Sequence, residues 1–478
     1  MRTRIVCTIG PASEKEDVLR EMIRAGMDVA RLNFSHGAHE DHARRVALIR
    51  RIAAEENAHV ALMGDLQGPK FRVGDLPPAG IPLQPGATCA LSASAPAPAI
   101  PFPHPEVIAA CGVGQRLLID DGAMVLEVVD HLADGGLLCR VIFGGTLTSR
   151  KGVSAPGAKV KVSSITPKDA RDVGFAIAQG LDALALSFVR RADDVNELRD
   201  LVHQLGGNPL LVAKIEKPEA IDDLDAIIHA ADVVMVARGD LGVEAAPEEV
   251  PFYQKRIIRR CQLNGKPVIT ATQMLQSMIH TASPTRAEAS DVANAVLDGT
   301  DAVMLSAETA SGDFPVESVR AMARIAHNAE AHLIESQRLT GMGNLRPQRS
   351  PAHSAVDVIT DAVTCEAVEL AEDIDAQAIV CTTSSGHTAR MVARHRPAVR
   401  ILTLTSDPRT RAYTAFMWGV EAELRPLPGD VEEMFSAAAA VAAARGFAKT
   451  GDRIIITAGL PMGAGAGHTN VVKVQVVP

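Results

Sequence analysis

The sequence predicts an α/β protein: a (β/α)8 TIM-type barrel, a small β-barrel lid domain inserted into it, and a third, C-terminal α/β domain. Three observations carry this. Eight short apolar runs recur at 5–8, 29–32, 60–63, 183–186, 210–213, 233–236, 268–270 and 302–305, each followed by a helix-length segment. With the interruption after the third run set aside, eight such units in about 250 residues is the arithmetic of a closed barrel, a doubly wound open sheet being the next choice. Nearly every run also hands a polar side chain to what would be one face: Thr8, Arg31 and Asn33, Asp65, Ser187, Lys214 and Glu216, Arg238 and Asp240, Thr272, and Ser306. In a barrel that face carries the chemistry.

Each element has its own warrant. Segments 16–25, 41–57 and 250–263 read as helices between runs, and Thr166-Pro167-Lys168-Asp169 as a helix start with a cap, a proline at the first position and a carboxylate at the third. Residues 72–162 interrupt the barrel. They begin rich in Pro and Gly and continue as strand-like pieces at 116–119, 124–129 and 137–142, with turns at Asp120-Asp121-Gly122 and Asp134-Gly135-Gly136. An insertion on the active face suits a lid that excludes water. The barrel is assigned residues 1–71 and 163–335, and a polar, Gly- and Pro-broken stretch at 336–352 reads as a linker. A third domain, 353–478, follows, with helix patterns at 354–372 and 431–444 and strand patterns at 378–382, 401–405 and 453–457.

The organising stretch is 209–240. Its two apolar runs, 210–213 and 233–236, end in Lys214-Ile215-Glu216 and Ala237-Arg238-Gly239-Asp240. Two carboxylates beside a lysine and an arginine suit a divalent cation and a phosphorylated ligand, while the plainer reading is a pair of solvated loop ion pairs.

Composition bounds the function. A chain of 478 residues needs more than one core. With 3% aromatic residues, alanine, valine and leucine must fill those cores. A net charge of −9 argues against a general nucleic-acid binder. The seven cysteines contain no CxxC pair, so reduced thiols in a cytoplasm are expected rather than disulfides or a zinc site. A strand begins almost at once, so no signal peptide is expected, and no apolar run reaches the ~18 residues of a membrane span. His39 and His42 sit one helical turn apart without a third donor, which reads as a helix surface. Thr382-Thr383-Ser384-Ser385-Gly386-His387-Thr388 opens a helix and offers hydroxyls and a glycine to a phosphate, though capping explains it equally. The run of Gly463, Gly465 and Gly467 precedes no helix pattern and reads as a loop.

RLNFSHG (31–37), GDLQGPK (64–70), KGVSAPG (151–157), AKIEKPEA (213–220), MVARGDLGVE (235–244), ITATQMLQSMI (269–279) and the long segment 284–309 together resemble the pyruvate kinase family. The resemblance implies transfer of phosphate from phosphoenolpyruvate to ADP on a barrel with an inserted lid and a C-terminal effector domain. It implies that Glu216 and Asp240 hold Mg²⁺ or Mn²⁺ and that Lys214, with Arg31, steadies the phosphoryl group. Thr272 would stand near proton delivery as a relay, Gly239 and Asp240 would hold the substrate carboxylate through their amides, and Ser187 and Ser306 would line the pocket. His36, Arg72, Lys151 and Asn33 would contact the nucleotide. Asn33, Ser35 and Asp65 match the monovalent-cation site, but Lys70 stands where potassium-dependent members carry glutamate, so K⁺ is expected to be unnecessary. Gln67, in place of a more widespread lysine, points the same way. Residues 382–388 align with the effector loop, implying a phosphorylated activator, a monophosphate by preference. A cytoplasmic homotetramer is the family expectation. A non-catalytic sensor of the same fold would have lost Lys214, Glu216 or Asp240, and an aldolase-like lyase would need neither lid nor nucleotide pocket.

Overall fold

The computed structural model describes residues 1–93, 99–160, 162–340, 355–461 and 467–478. Eight parallel strands close into a barrel: Arg4–Thr8, Val29–Asn33, Ala61–Asp65, Ala183–Leu186, Leu210–Ile215, Val233–Ala237, Val268–Ala271 and Ala302–Leu305. They pair in chain order, and the last pairs with the first through Arg4↔Ala302 to Cys7↔Leu305. Alternation along each strand sends Ile5 and Cys7 to the helix layer and Val6, Met63, Ala185, Met235, Ala271 and Met304 to the interior. Aliphatic side chains, from alanine to valine, isoleucine, leucine and methionine, fill the narrow barrel, which is why so few aromatics suffice.

Several strands run one or two residues further than the apolar runs suggest. Asn33, Asp65 and Lys214 therefore lie, as Arg31 does, inside strand ends and not beyond them. Backbone pairing continues through them because their polar ends have partners in the mouth. The helix Pro167–Ala178 begins as its sequence demands, with Thr166 Oγ1 accepting the amide of Asp169.

The lid lies between the third and fourth barrel strands. It is a six-stranded curled sheet built around Arg116–Ile119, Met124–His131 and Leu137–Phe143, with a separate antiparallel pair, Ile81–Leu83 and Gly145–Leu147. The C-terminal unit is a five-stranded sheet in the order Val420–Leu424, Arg400–Thr405, Ala378–Thr382, Arg453–Ala458, Val471–Val476, with only the last strand antiparallel. The two outer strands carry mixed polar sequences, which is why no apolar run announced them. Of the stretch expected as a linker, residues 336–340 continue the helix Pro315–Thr340, and 341–352 lie outside the described residues. Gly463 and Gly465 also lie outside them, whereas Gly467 turns the chain at φ +95°.

A fourfold device closes the barrel floor. Asp28, Asp182, Asp232 and Asp301 each stand directly before an even-numbered strand. Each accepts an amide of the strand before it: Ile5 at 2.8 Å, Leu62 at 2.8 Å, Leu211 at 2.9 Å and Val268 at 3.1 Å. Arginines answer three of these carboxylates. Arg4 lies 2.7 Å from Asp28, while Arg409 and Arg396 of the C-terminal unit reach Asp232 at 3.1 Å and Asp301 at 3.0 Å. The C-terminal unit thus docks on the floor, opposite the mouth.

Candidate active site

The polar residues at the mouth form one connected chain. Thr8 Oγ1 donates to the carbonyl of Leu305 at 2.9 Å and accepts Arg31 Nη1 at 2.8 Å. Arg31 Nε donates to Asp65 Oδ2 at 2.7 Å. The other oxygen of Asp65 takes Lys214 Nζ at 3.1 Å, and the same ammonium donates to Ser187 Oγ at 2.7 Å. Six of the eight strands are joined in this way. Burial favours a neutral Asp65, but Lys214 and Arg31 outweigh it and hold the carboxyl below its ordinary range. Burial likewise opposes the charge on Lys214, and Asp65 and Glu216 more than offset it, raising the lysine above its usual value.

Glu216 directly follows the strand that carries Lys214 and stands two residues on, so both side chains enter the mouth. Lys214 Nζ stands 2.8 Å from Glu216 Oε1, a buried ion pair. Glu216 Oε2 accepts the amide of Phe188 at 2.8 Å, from a residue at φ +58°. Burial, opposed by Lys214 and reinforced by the nearby charge of Asp240, raises the Glu216 carboxyl. The Asp240 side chain has no hydrogen bond or ion pair among the described residues. Two hard carboxylates, that of Asp240 without a side-chain partner among the described residues, fit a small divalent cation that takes its remaining ligands from water and substrate.

Asp240 lies in the helix Arg238–Glu244, which starts directly where its strand ends. The Gly239 amide, expected to face a substrate, donates instead to Thr272 Oγ1 at 2.7 Å. Thr272 donates in turn to the carbonyl of Ala271 at 2.6 Å and sits at φ +69°. Ser306 follows the last strand, its amide held by Glu308 at 2.7 Å and its buried hydroxyl without a partner among the described residues.

Between mouth and lid runs a cleft of about 290 Å³, lined by Lys70, Arg72, Asp120, Lys151, Lys217 and Asp240 among others. Lys151 pairs with Asp120 at 2.8 Å, and Arg72 Nη1 donates to the carbonyl of Arg150 at 2.8 Å. His36 is not part of this lining; its carbonyl accepts His42 Nε2 at 2.9 Å. Asn33 Oδ1 accepts the amide of Ser35 at 3.1 Å. His39 pairs with Asp172 at 2.7 Å and stacks on Phe175, holding two helices together.

Sequence reasoning overlooked the Phe188 amide, Asp120 and Glu308. Asp120 was concealed by its own turn: it does adopt a positive φ, 54°, but its carboxylate also faces the cleft. Glu308 lies inside the long 284–309 motif, which was the available signal.

In the effector-like loop, Thr383 Oγ1 accepts the amide of Gly386 at 3.1 Å, and Thr388 and Thr469 share a hydrogen bond at 2.7 Å. His387 Nδ1 accepts Arg390 Nη2 at 2.8 Å, and Thr410 donates to the carbonyl of Ser384 at 2.8 Å. Gly386 takes φ +77° at the start of the helix His387–Ala393. Thr382 is buried at its strand's end, and Ser385 is half-buried beside the exposed Ser384.

Comparison with known proteins agrees with this layout. Residues 1–319 match the family model for the pyruvate kinase barrel domain, and residues 361–475 that for its alpha/beta domain. The chain belongs to the pyruvate kinase family. It is 45% identical to a pyruvate kinase of Geobacillus stearothermophilus over 482 residues, spanning 100% of this chain and 80% of that one. A pyruvate kinase of Agrobacterium vitis is 43% identical over 482 residues, covering 99% and 98%. The crystal structure of a pyruvate kinase from Cryptosporidium parvum superimposes with a TM-score of 0.88 at 36% identity, covering 100% of this chain and 96% of that one. Pyruvate kinases are phosphotransferases, and the family generally uses a divalent metal. No helix among the described residues is long and apolar enough to cross a membrane.

Proposed function

We propose that this chain transfers the phosphoryl group of phosphoenolpyruvate to ADP, giving pyruvate and ATP. One observation carries the proposal: Lys214, buried to 8% exposure, is held among Asp65, Ser187 and Glu216 with the unpaired Asp240 close by. A buried ammonium fixed by three partners presents its charge without reorganising, which is what phosphoryl transfer asks of a protein.

In this reading Lys214 and Arg31 face the phosphoryl group, and Ser187 and Ser306 line the substrate pocket. Glu216 and Asp240 are the residues that would hold Mg²⁺ or Mn²⁺. Such a cation supplies positive charge beside the developing anionic oxygens. Thr272 relays a proton towards the methyl carbon of the product. Its hydroxyl hydrogen lies towards the Ala271 carbonyl at rest, so the relay requires rotation about the Cβ–Oγ bond. Gly239 serves the pocket by fixing Thr272, and the substrate carboxylate is left to the amide of Asp240. Arg72 and Lys151 take the nucleotide phosphates across the lid cleft, and His36 and Asn33, outside its lining, are further nucleotide contacts. Lys70 supplies the charge that K⁺ would bring to Asn33, Ser35 and Asp65, so K⁺ is not required.

The domains divide at 1–71 with 163–335, 72–162, and 353–478. Residues 382–388 bind a phosphorylated activator, and the working form is a cytoplasmic homotetramer. The test is pyruvate formation from phosphoenolpyruvate and ADP with Mg²⁺, run with and without K⁺. Equal rates support both readings. A rate only with K⁺ keeps the kinase and removes the role of Lys70. No turnover, even with sugar phosphates or AMP added, removes the kinase.

A further inference from the structure

The corner that carries Thr272 is gripped from two sides, by Glu308 and by Arg238, whose sequence position suggests a cation for a phosphorylated ligand but whose donors are spent within the protein. Thr272 is β-branched and sits at φ +69°, and Gln273 follows at φ +54°. Two successive side-chain-bearing residues in the left-handed region persist only where surrounding contacts dictate them. Arg238 supplies those contacts on one side. Its Nη2 donates to the carbonyl of Thr272 at 2.7 Å, and Nε reaches the carbonyls of Ala271 and Thr272, each at 3.3 Å. Nη2 also lies 2.7 Å from Met274 Sδ. On the other side Glu308, wholly buried, accepts the amide of Leu275 at 3.2 Å with one oxygen and that of Ser306 at 2.7 Å with the other.

Arg238 is itself held from behind. Nη1 donates to Asp291 Oδ1 at 2.8 Å and to Gln254 Oε1 at 3.3 Å, and Gln254 continues to Asp298 at 3.2 Å. The guanidinium therefore spends its donors on fixing one strained corner against two barrel helices, with its side chain only 10% exposed. Its neighbour Gly239 ties the same corner through Thr272 Oγ1.

We infer that Arg238, anchored by Asp291 and opposed by Glu308, is a positioning residue that sets the hydroxyl of Thr272 for proton transfer at the methyl carbon of pyruvate. This rests on the proposed function above. Arg238 touches neither substrate nor metal in this account; it fixes backbone carbonyls, so its loss displaces Thr272 without removing a phosphate contact. A lysine cannot replace it, because one ammonium cannot span the Ala271 and Thr272 carbonyls and Asp291 together.

The test compares Arg238→Lys and Asp291→Asn with the unaltered enzyme. Three quantities are read: the Michaelis constant for phosphoenolpyruvate, the thermal midpoint, and exchange of pyruvate methyl hydrogens in deuterated water with Mg²⁺ and inorganic phosphate, where no phosphoryl group can move. The expected result is a fall in exchange of roughly tenfold or more in Arg238→Lys, with the Michaelis constant within about twofold; a loss of that size is in the range of removing a preorganised contact. Asp291→Asn, whose side chain is 37% exposed, shows the same pattern more weakly and serves should Arg238→Lys fail to fold. Exchange equal to the unaltered enzyme, with only the thermal midpoint lowered, would overturn the inference. So would a proportional loss in exchange and substrate binding. Absence of phosphoryl transfer in the unaltered enzyme would strike at the proposed function instead.

Discussion

Lys214 Nζ stands 3.1 Å from Asp65 Oδ1, and both side chains are almost wholly removed from water. The pair joins the third and fifth strands across the barrel mouth, and through Asp65 it continues to Arg31. The lysine is thus the keystone of the mouth's charge balance, besides the part in phosphoryl transfer proposed for it.

Lys214→Met should separate those roles from the outside. Turnover is expected to fall by roughly 10²–10³-fold or more, the usual scale for losing a preorganised charge in a water-excluded site. Stability should fall by about 3–5 kcal/mol, because Asp65 and Glu216 are left buried without their shared cation. Lys214→Arg should recover most of the stability and little of the turnover, since a planar fork cannot occupy the point between three partners. Denaturant titration and steady-state rates check the two arms; a stable, inactive Lys214→Met would refute the structural half.

Glu216 and Asp240 predict a metal-linked stability. A cation bound at 100 times its dissociation constant stabilises by about 2.7 kcal/mol, whichever reaction follows. Mn²⁺ or Mg²⁺ should raise the thermal midpoint of the unaltered protein, and Glu216→Gln or Asp240→Asn should abolish most of that rise. Calorimetry with and without metal decides it. An undiminished rise in both variants would place the metal elsewhere.

Acid should loosen the C-terminal unit. Burial, aided by nearby arginines, depresses His59 to about 4 and His387 and His395 to about 3. Each therefore contributes stability that is intact above an unfolded value near 6.5 and is lost as pH falls towards those folded values, at about 1.4 kcal/mol per unit. His395 lies between Arg394 and Arg396, and His59 reaches the carbonyl of Arg411, so the burden falls where that unit meets the barrel. Trp418, the single tryptophan, lies there between Arg2 at 5.4 Å and Arg396 at 5.2 Å and reports the contact. Its emission should change between pH 6 and 4, and His395→Gln should move the change to lower pH. An unmoved transition would exclude His395.

How much of this could be read from the chain depended on whether the cause was local. The barrel was legible because eight apolar runs must each be buried on both faces, and the helix at Pro167 because cap, proline and carboxylate all lie within four residues. The Lys214–Glu216 pair was legible from strand period. The floor left a signal that was passed over: Gly-Met-Asp-Val at 26–29, Gly-Leu-Asp-Ala at 180–183 and Gly-Thr-Asp-Ala at 299–302 repeat one turn chemistry, with Ala-Ala-Asp-Val at 230–233 a fourth copy. Each glycine takes a positive φ, leaving a helix, and the aspartate then caps the neighbouring strand. What no local pattern could reveal is the spending of donors between distant segments. Gly239 looked free for substrate until Thr272, 33 residues on, took its amide.

Lys70 offers the sharpest single substitution. It is exposed, lines the lid cleft with Arg72 and Lys151, and has no hydrogen bond or ion pair through its side chain among the described residues. Lys70→Glu should therefore cost little stability, within about 0.5 kcal/mol for a surface change of this kind. It replaces a cation with an anion beside a site that must neutralise phosphate, a change of two charges. Turnover without K⁺ should fall at least tenfold, and added K⁺, but not a large organic cation, should restore much of it by placing a positive charge at Asn33, Ser35 and Asp65. Parallel assays in K⁺ and tetramethylammonium salts at one ionic strength read this directly. If the variant stays fully active without K⁺, the ammonium of Lys70 is not what makes that ion dispensable.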